Sequence, residues 1–332
     1  MMFSKLYSLD KNINNPDNYS ISKDIVWASP AGFNLTMDIY SPKKGDGPFP
    51  VLVIFHGGGF LIRRKNILDN MAQYIASHHD YVVCNVNYRL LCDQHNSVTF
   101  NELIGDAFGA ILWIKENIFK FKGNKDRLAV TGDSAGAYIS AMIVNSGTKI
   151  GKKENYSEHL SFEPTYLPKK IKLADILNNN LLAVNAAVLS YGGFDFYKWA
   201  LNGAAETYKN LFWWLAFSKP RGIFGSEYNP INHPEMYKAS SPIYNIPNVQ
   251  NQRLPPQLVT SASRDKVVPV YVVKDYVKAL QNQGQLVEYW EYKDKGHAYL
   301  DSGKSLLAGN DFKKDAIPAL KKIMNFLDAC FK

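Results

Sequence analysis

Residues 50–55 read PVLVIF, a proline followed by five apolar residues without a break. A strand with one wet face alternates apolar and polar side chains. An unbroken apolar run of strand length therefore belongs in a sheet covered on both faces. Such sheets are mostly parallel, and parallel neighbours need long crossovers, usually helical. The chain supplies these in order. A hairpin of residues 21–28 and 33–40, around Ser29-Pro30-Ala31-Gly32, comes first. A helix follows at 66–79, a strand at 81–88 (YVVCNVNY) and a long amphipathic helix at 100–118. A short strand at 127–131 runs directly into a helix beginning at Ala135. Strands recur at 184–190, 257–263 and 287–292, and helices at 270–283 and 311–331. The expected class is α/β, with a mostly parallel central sheet and helices on both faces.

Two stretches leave this rhythm. Residues 146–183 are polar, rich in Lys and Asn, and read as a surface insertion with a short helix. Residues 195–244 are dense in aromatics and read as a cap or lid inserted into a single domain spanning 1–332. The net charge of +8 raises nucleic acid as a partner. The lysines argue against it. The densest group (Lys149, Lys152, Lys153, Lys169, Lys170 and Lys172) is interleaved with Glu154, Glu158 and Glu163, and no nucleic-acid motif accompanies it. Three cysteines, Cys84, Cys92 and Cys330, do not make a disulfide framework. The polar first 20 residues hold no signal-peptide core, and no run approaches the roughly 20 apolar residues of a membrane span. A cytoplasmic enzyme is the expectation.

The chemistry is carried by two glycine motifs. Gly132-Asp133-Ser134-Ala135-Gly136 sits between the strand at 127–131 and the helix that follows. This is the strand–turn–helix context of a nucleophile elbow. The turn is so sharp that flanking side chains would clash, hence the glycines. Ser134 then projects from a helix N-terminus, where developing negative charge is favoured. His56-Gly57-Gly58-Gly59-Phe60 follows the strand at 50–55. Its glycines let backbone N–H groups approach a tetrahedral oxyanion, and the N–H of Ala135 would complete the hole. A serine hydroxyl also needs a base, and the base an orienting carboxylate. Of the seven histidines, His297 stands on the loop after the last strand. Two acids compete for the third place: Asp265, in Ser263-Arg264-Asp265-Lys266-Val267-Val268-Pro269, and Asp195, after the strand at 184–190.

HGGGF at 56–60, GDSAG at 132–136 and Tyr88-Arg89-Leu90 resemble the hormone-sensitive-lipase-like bacterial carboxylesterases of the α/β-hydrolase superfamily. The resemblance runs from about residue 21 to the C-terminus. It implies an α/β-hydrolase fold with a cap, and oxyanion donors at Gly58, Gly59 and Ala135. His56 would anchor the loop. His297 matches the family's Gly-His position, and the order Ser, Asp, His is the one this fold carries. The resemblance favours Asp265 over Asp195, and so does the loop Asp265-Lys-Val-Val-Pro, which aims the carboxylate at the histidine loop. Two departures stand out: Leu91-Cys92-Asp93 replaces the usual Ala-Pro-Glu, and the N-terminal part is short for a full helical cap. The opening hairpin followed by HGGG also resembles acetyl-xylan and feruloyl esterases.

The expected activity is hydrolysis of small-to-medium acyl esters by a metal-free, cofactor-free Ser134–His297–Asp265 triad. The expected substrate-binding residues are Phe60, on the glycine motif, and Phe194, Trp199, Trp213 and Trp214, within an aromatic run at 191–217 that also holds Phe196, Tyr208 and Phe212. A small-molecule ester is the expected partner, with no nucleic acid and no membrane span, and a homodimer stays open as an assembly. Asp265-Lys-Val-Val-Pro also fits an amidase or peptidase of the prolyl-oligopeptidase type, against which the lack of a propeller counts. The contrasting class is a non-catalytic receptor on a hydrolase fold, which would usually have lost a triad member.

Overall fold

The computed structural model describes residues 15–146, 161–203, 211–305 and 309–332. The lysines and glutamates at 149–158, Tyr208 and His159 therefore lie outside the described residues. Eight strands form one sheet: β1 (Tyr19–Ala28), β2 (Leu35–Pro42), β3 (Phe49–Phe55), β4 (Val82–Val86), β5 (Gly123–Asp133), β6 (Ala186–Ser190), β7 (Gln257–Ala262) and β8 (Val287–Tyr292). Their order is β1-β2-β4-β3-β5-β6-β7-β8. β2 is antiparallel to both its neighbours, and every pair from β4 to β8 is parallel.

The apolar run that pointed to a buried strand is β3, at the centre. Val51 to Phe55 are all inaccessible to solvent. Alternation along the strand splits them between two cores. Val51, Val53 and Phe55 pack with the helices Phe100–Asn117, Ala135–Ser146 and Val270–Asn282. Leu52 and Ile54 pack with Asp69–His78 and Ile317–Phe331 on the other face. Each such burial contributes about 1.5–3 kcal/mol.

Register brings the site together. Phe55 pairs with Gly132, Asp133 with Ser190, Ser190 with Thr260, and Ala262 with Tyr292. The carboxyl ends of β3, β5, β6, β7 and β8 thus lie along one edge. The loops that follow them open at the same level, where sheets of this kind place their ligands.

The stretch read as a surface insertion is only partly on the surface. Phe162, Ile176 and Leu182 are buried in the larger core. The Thr165 N–H donates to the Gly105 carbonyl at 3.0 Å, so this segment lies directly on helix Phe100–Asn117. Gly105 and Gly109 make that approach possible, since a Cβ at either would overlap the backbone of 163–166. The lysine-rich composition hid these few apolar contacts.

A buried ion pair fixes the same helix from below. The Arg89 Nε and Nη2 donate to Asp106 at 2.9 and 2.8 Å, and the Arg89 N–H donates to it as well. Thr165 Oγ1 completes the ring of donors. Asp106→Ala would leave the buried Arg89 charge to the more exposed Glu102, 3.4 Å away, an expected cost of about 3 kcal/mol. Urea denaturation reads this directly, and a loss under about 1 kcal/mol would contradict it.

Candidate active site

Ser134 occupies the turn between β5 and the helix Ala135–Ser146, with φ of +50°, in the left-handed region that non-glycine residues rarely enter. The surroundings hold it there. A Cβ at Gly136 would overlap the Phe55 carbonyl, and one at Gly132 would overlap Gly136. The Ser134 N–H donates to the Ser190 carbonyl at 2.8 Å.

Three side chains form a hydrogen-bonded chain. His297 Nε2 lies 2.9 Å from Ser134 Oγ, and His297 Nδ1 lies 2.7 Å from Asp265 Oδ2. The other carboxylate oxygen of Asp265 accepts the N–H groups of Val267 and Val268 at 2.8 and 2.9 Å. The loop after β7 therefore clamps the acid and leaves one oxygen for the imidazole. The Tyr191 ring packs edge-on against His297 at 4.9 Å. Asp195, the competing acid, caps the helix Phe196–Leu201 through the Lys198 N–H and accepts from the Tyr244 hydroxyl.

The glycine loop lies beside this chain. The Gly57 N–H donates to Asp133 Oδ1 at 2.6 Å, which ties the loop to the end of β5. Gly58 and Gly59 have φ of +118° and +60°. The Gly58 carbonyl accepts the N–H groups of Leu61 and Ile62. Among the described residues, the N–H groups of Gly58, Gly59 and Ala135 have no protein acceptor. His56 is fully buried and stacks on Tyr88 at 4.4 Å, while the Tyr88 hydroxyl donates to the His56 carbonyl at 2.6 Å. His56 Nδ1 bonds the Gly57 carbonyl at 2.8 Å. Where Leu91-Cys92-Asp93 departs from the resembled family, Asp93 accepts both Nη groups of Arg64 at 3.0 and 2.6 Å, so it too braces the segment after the glycines.

An apolar cavity of about 370 Å³ opens beside Gly59. Phe60, Trp199 and Trp213 line it, together with Leu61, Phe196, Phe212 and Ile223. Two of the expected substrate-binding residues lie elsewhere. Phe194 is fully buried and stacks on Tyr276 at 4.1 Å, in the core beneath the helix Val270–Asn282. Trp214 is 67% exposed. The short helix Leu211–Leu215 turns about 100° per residue, so it aims Phe212 and Trp213 inward and Trp214 at solvent. Leu61, Leu91, Ile223 and Val267 carried no aromatic signal and were missed. Among the described residues no group of three His, Cys, Asp or Glu could hold a metal ion, and no helix is long and apolar enough to cross a membrane.

The BD-FAE family profile matches residues 37–280. Esterase LipC of Mycobacterium tuberculosis is 26% identical over 253 residues, covering 76% of this chain and 53% of that protein. The isoprenylcysteine alpha-carbonyl methylesterase ICME of Arabidopsis thaliana is 26% identical over 280 residues, covering 83% and 56%. Carboxylesterase 5A of Mus musculus is 34% identical over 119 residues, covering 33% and 20%. The chain thus spans little more than half the length of even the better-covered of these relatives. Among solved structures, a truncated carbohydrate esterase from gut microbiota aligns over 96% of this chain and 98% of its own, with a TM-score of 0.67 and 17% identity. Esterase 2 of Thermogutta terrifontis, phosphonylated by cyclosarin, aligns over 97% of both chains with a TM-score of 0.64 and 18% identity. The fold is the α/β-hydrolase fold.

Burial disfavours the His56 imidazolium and pushes its pKa from 6.5 down to about 3. The unfolded chain binds that proton below pH 6.5, and the folded protein resists it until about pH 3. Stability is therefore lost as pH falls through this window, by about 1.4 kcal/mol per pH unit from this one group. Urea titrations at pH 7, 6 and 5 should show a shallower acid loss in His56→Gln than in the wild type; equal slopes would contradict it.

Proposed function

The chain belongs to the BD-FAE family, and from the geometry of its site we propose that it is a serine carboxylesterase acting on small-to-medium acyl esters. The observation that carries the reading is the chain Ser134–His297–Asp265, at 2.9 and 2.7 Å, next to a glycine loop in which, among the described residues, the Gly58 and Gly59 N–H groups have no protein acceptor. The relatives named as esterases support the same reading.

The mechanism follows from positions. His297 Nε2 takes the Ser134 proton as Oγ attacks the ester carbonyl. Asp265 holds Nδ1–H towards itself, which fixes the tautomer and stabilises the imidazolium. The N–H groups of Gly58, Gly59 and Ala135 receive the oxyanion, where preorganised donors stabilise the transition state more than the ground state. His297 then returns the proton to the leaving alcohol. Water, activated by the same imidazole, releases the acid from the acyl-enzyme.

We read the cavity as one side of the substrate's place. The leaving oxygen must receive its proton from His297, so the alcohol lies beside that ring. The cavity borders Gly59, Phe60 and Leu61, and neither His297 nor Ser134 lines it. It therefore takes the acyl group. Its walls are apolar and largely aromatic, with Asn202 as the polar side chain at the rim.

Ser134→Ala should lower hydrolysis of p-nitrophenyl butyrate by about 10⁵–10⁶-fold, and should not react with a fluorophosphonate probe that labels the wild type. Wild-type-like turnover by the variant would sink the assignment. Trp199→Ala removes one wall of the cavity. The ratio of kcat/KM for hexanoate over acetate should fall by about tenfold, the order of 1–2 kcal/mol of apolar contact; an unchanged ratio would move the acyl group elsewhere.

A further inference from the structure

Beneath the site lies a cluster of charge that the proposed chemistry does not use. It joins three loops. Asp133 immediately precedes Ser134, Asp301 follows His297 on the loop after β8, and Arg63 follows the oxyanion glycines. Both acids are buried. Arg63 Nη2 lies 3.8 Å from Asp301 Oδ2, with the arginine side chain one-third exposed. Asp133 receives the Gly57 N–H at 2.6 Å, and a Cβ on Gly57 would overlap its carboxylate. Two further bonds join the same stretches of chain: the Ser302 N–H donates to the Ile67 carbonyl at 2.7 Å, and the Asn70 N–H to Ser302 Oγ at 2.9 Å.

We propose that Asp301, paired with Arg63 and facing Asp133, is a positioning residue that locks the oxyanion loop to the His297 loop across the floor of the site. The assignment of a reaction to these loops rests on the esterase reading, but the lock itself does not. The oxyanion donors sit on one loop and the general base on another. Among the described residues no hydrogen bond joins the two loops through the proposed catalytic groups, so the contacts below help to set their separation. An error of about 1 Å there costs on the order of 10²-fold in rate.

The charge balance adds a second consequence. Burial raises Asp301, the Asp133 charge raises it further, and Arg63 opposes both. Burial raises Asp133 too, against the Gly57 N–H, His297 and Arg63. Neighbouring acids in one buried site resist ionising together. Tyr88 and Tyr191 also face Asp133 and are buried in the neutral form. The pair therefore keeps a proton above the usual carboxylate range. Losing it at high pH puts a second negative charge under the oxyanion donors, where it opposes the charge that forms during reaction.

The experiment compares wild type, Asp301→Ala, Asp301→Asn, Arg63→Ala and the double variant Arg63→Ala/Asp301→Ala. Hydrogen–deuterium exchange tests the lock without any activity. Arg63→Ala should raise exchange in peptides covering 297–303, Asp301→Ala in peptides covering 57–63, and the double variant should go no further than either. Exchange that rises only around each substituted residue, or adds in the double variant, overturns the proposal. Kinetics on p-nitrophenyl butyrate form a separate arm. Asp301→Ala should lower kcat by about 10–100-fold with KM within about twofold, and Asp301→Asn should recover most of that loss and lack the alkaline fall in kcat. A pH profile shared by wild type and Asp301→Asn also overturns it. A wild type that hydrolyses no ester removes the esterase reading and leaves the exchange arm to decide the lock.

Discussion

A single hydrogen bond, from the Gly57 N–H to the Asp133 carboxylate, determines where the rest of the site can be. It joins the loop after β3 to the end of β5, two strands already in register at Phe55 and Gly132. With that bond made, the next two glycines turn through positive φ, a course that glycine follows most readily. The bond also needs a glycine at 57, because no side chain fits between the loop and the acid. The stacked pair His56–Tyr88 supports the loop from behind and holds no charge near neutral pH. The proposed oxyanion donors are therefore a product of sheet register and packing, fixed before any ligand arrives.

Much of this was legible in the sequence, for a physical reason. Each proposed catalytic residue follows a strand, and the central strand, buried on both faces, announces itself as an unbroken apolar run. PVLVIF located β3, and its place fixed the meaning of the glycines after it. The strand before Ser134 and the helix after it made a common pentapeptide specific. Asp265 and Asp195 both follow strands, and only the resemblance and the loop Asp265-Lys-Val-Val-Pro favour the first. The structure gives them different partners: the first meets His297, the second caps a helix.

Legibility failed where a residue's role depends on rotation rather than on order. Phe194, Trp213 and Trp214 look alike in an aromatic run. One is in the core, one lines the cavity and one faces solvent. The short helices of this region have no long periodicity from which a facing could be read. The insertion around Phe162 failed for the opposite reason. A few apolar residues, seated over Gly105 and Gly109, outweigh a polar composition.

The alignment of strand ends has a consequence for how such a protein can change. The hydrogen-bonded chain sits on loops after β5, β7 and β8, whereas most cavity walls come from 196–223. Apart from Val267 beside the acid and the glycine loop itself, the two sets share no residues. Mutations that reshape the cavity can accumulate in one stretch of chain while the hydrogen-bonded chain is inherited unchanged in another. A lineage built on this frame can explore new cavity shapes without rebuilding the three side chains beside them.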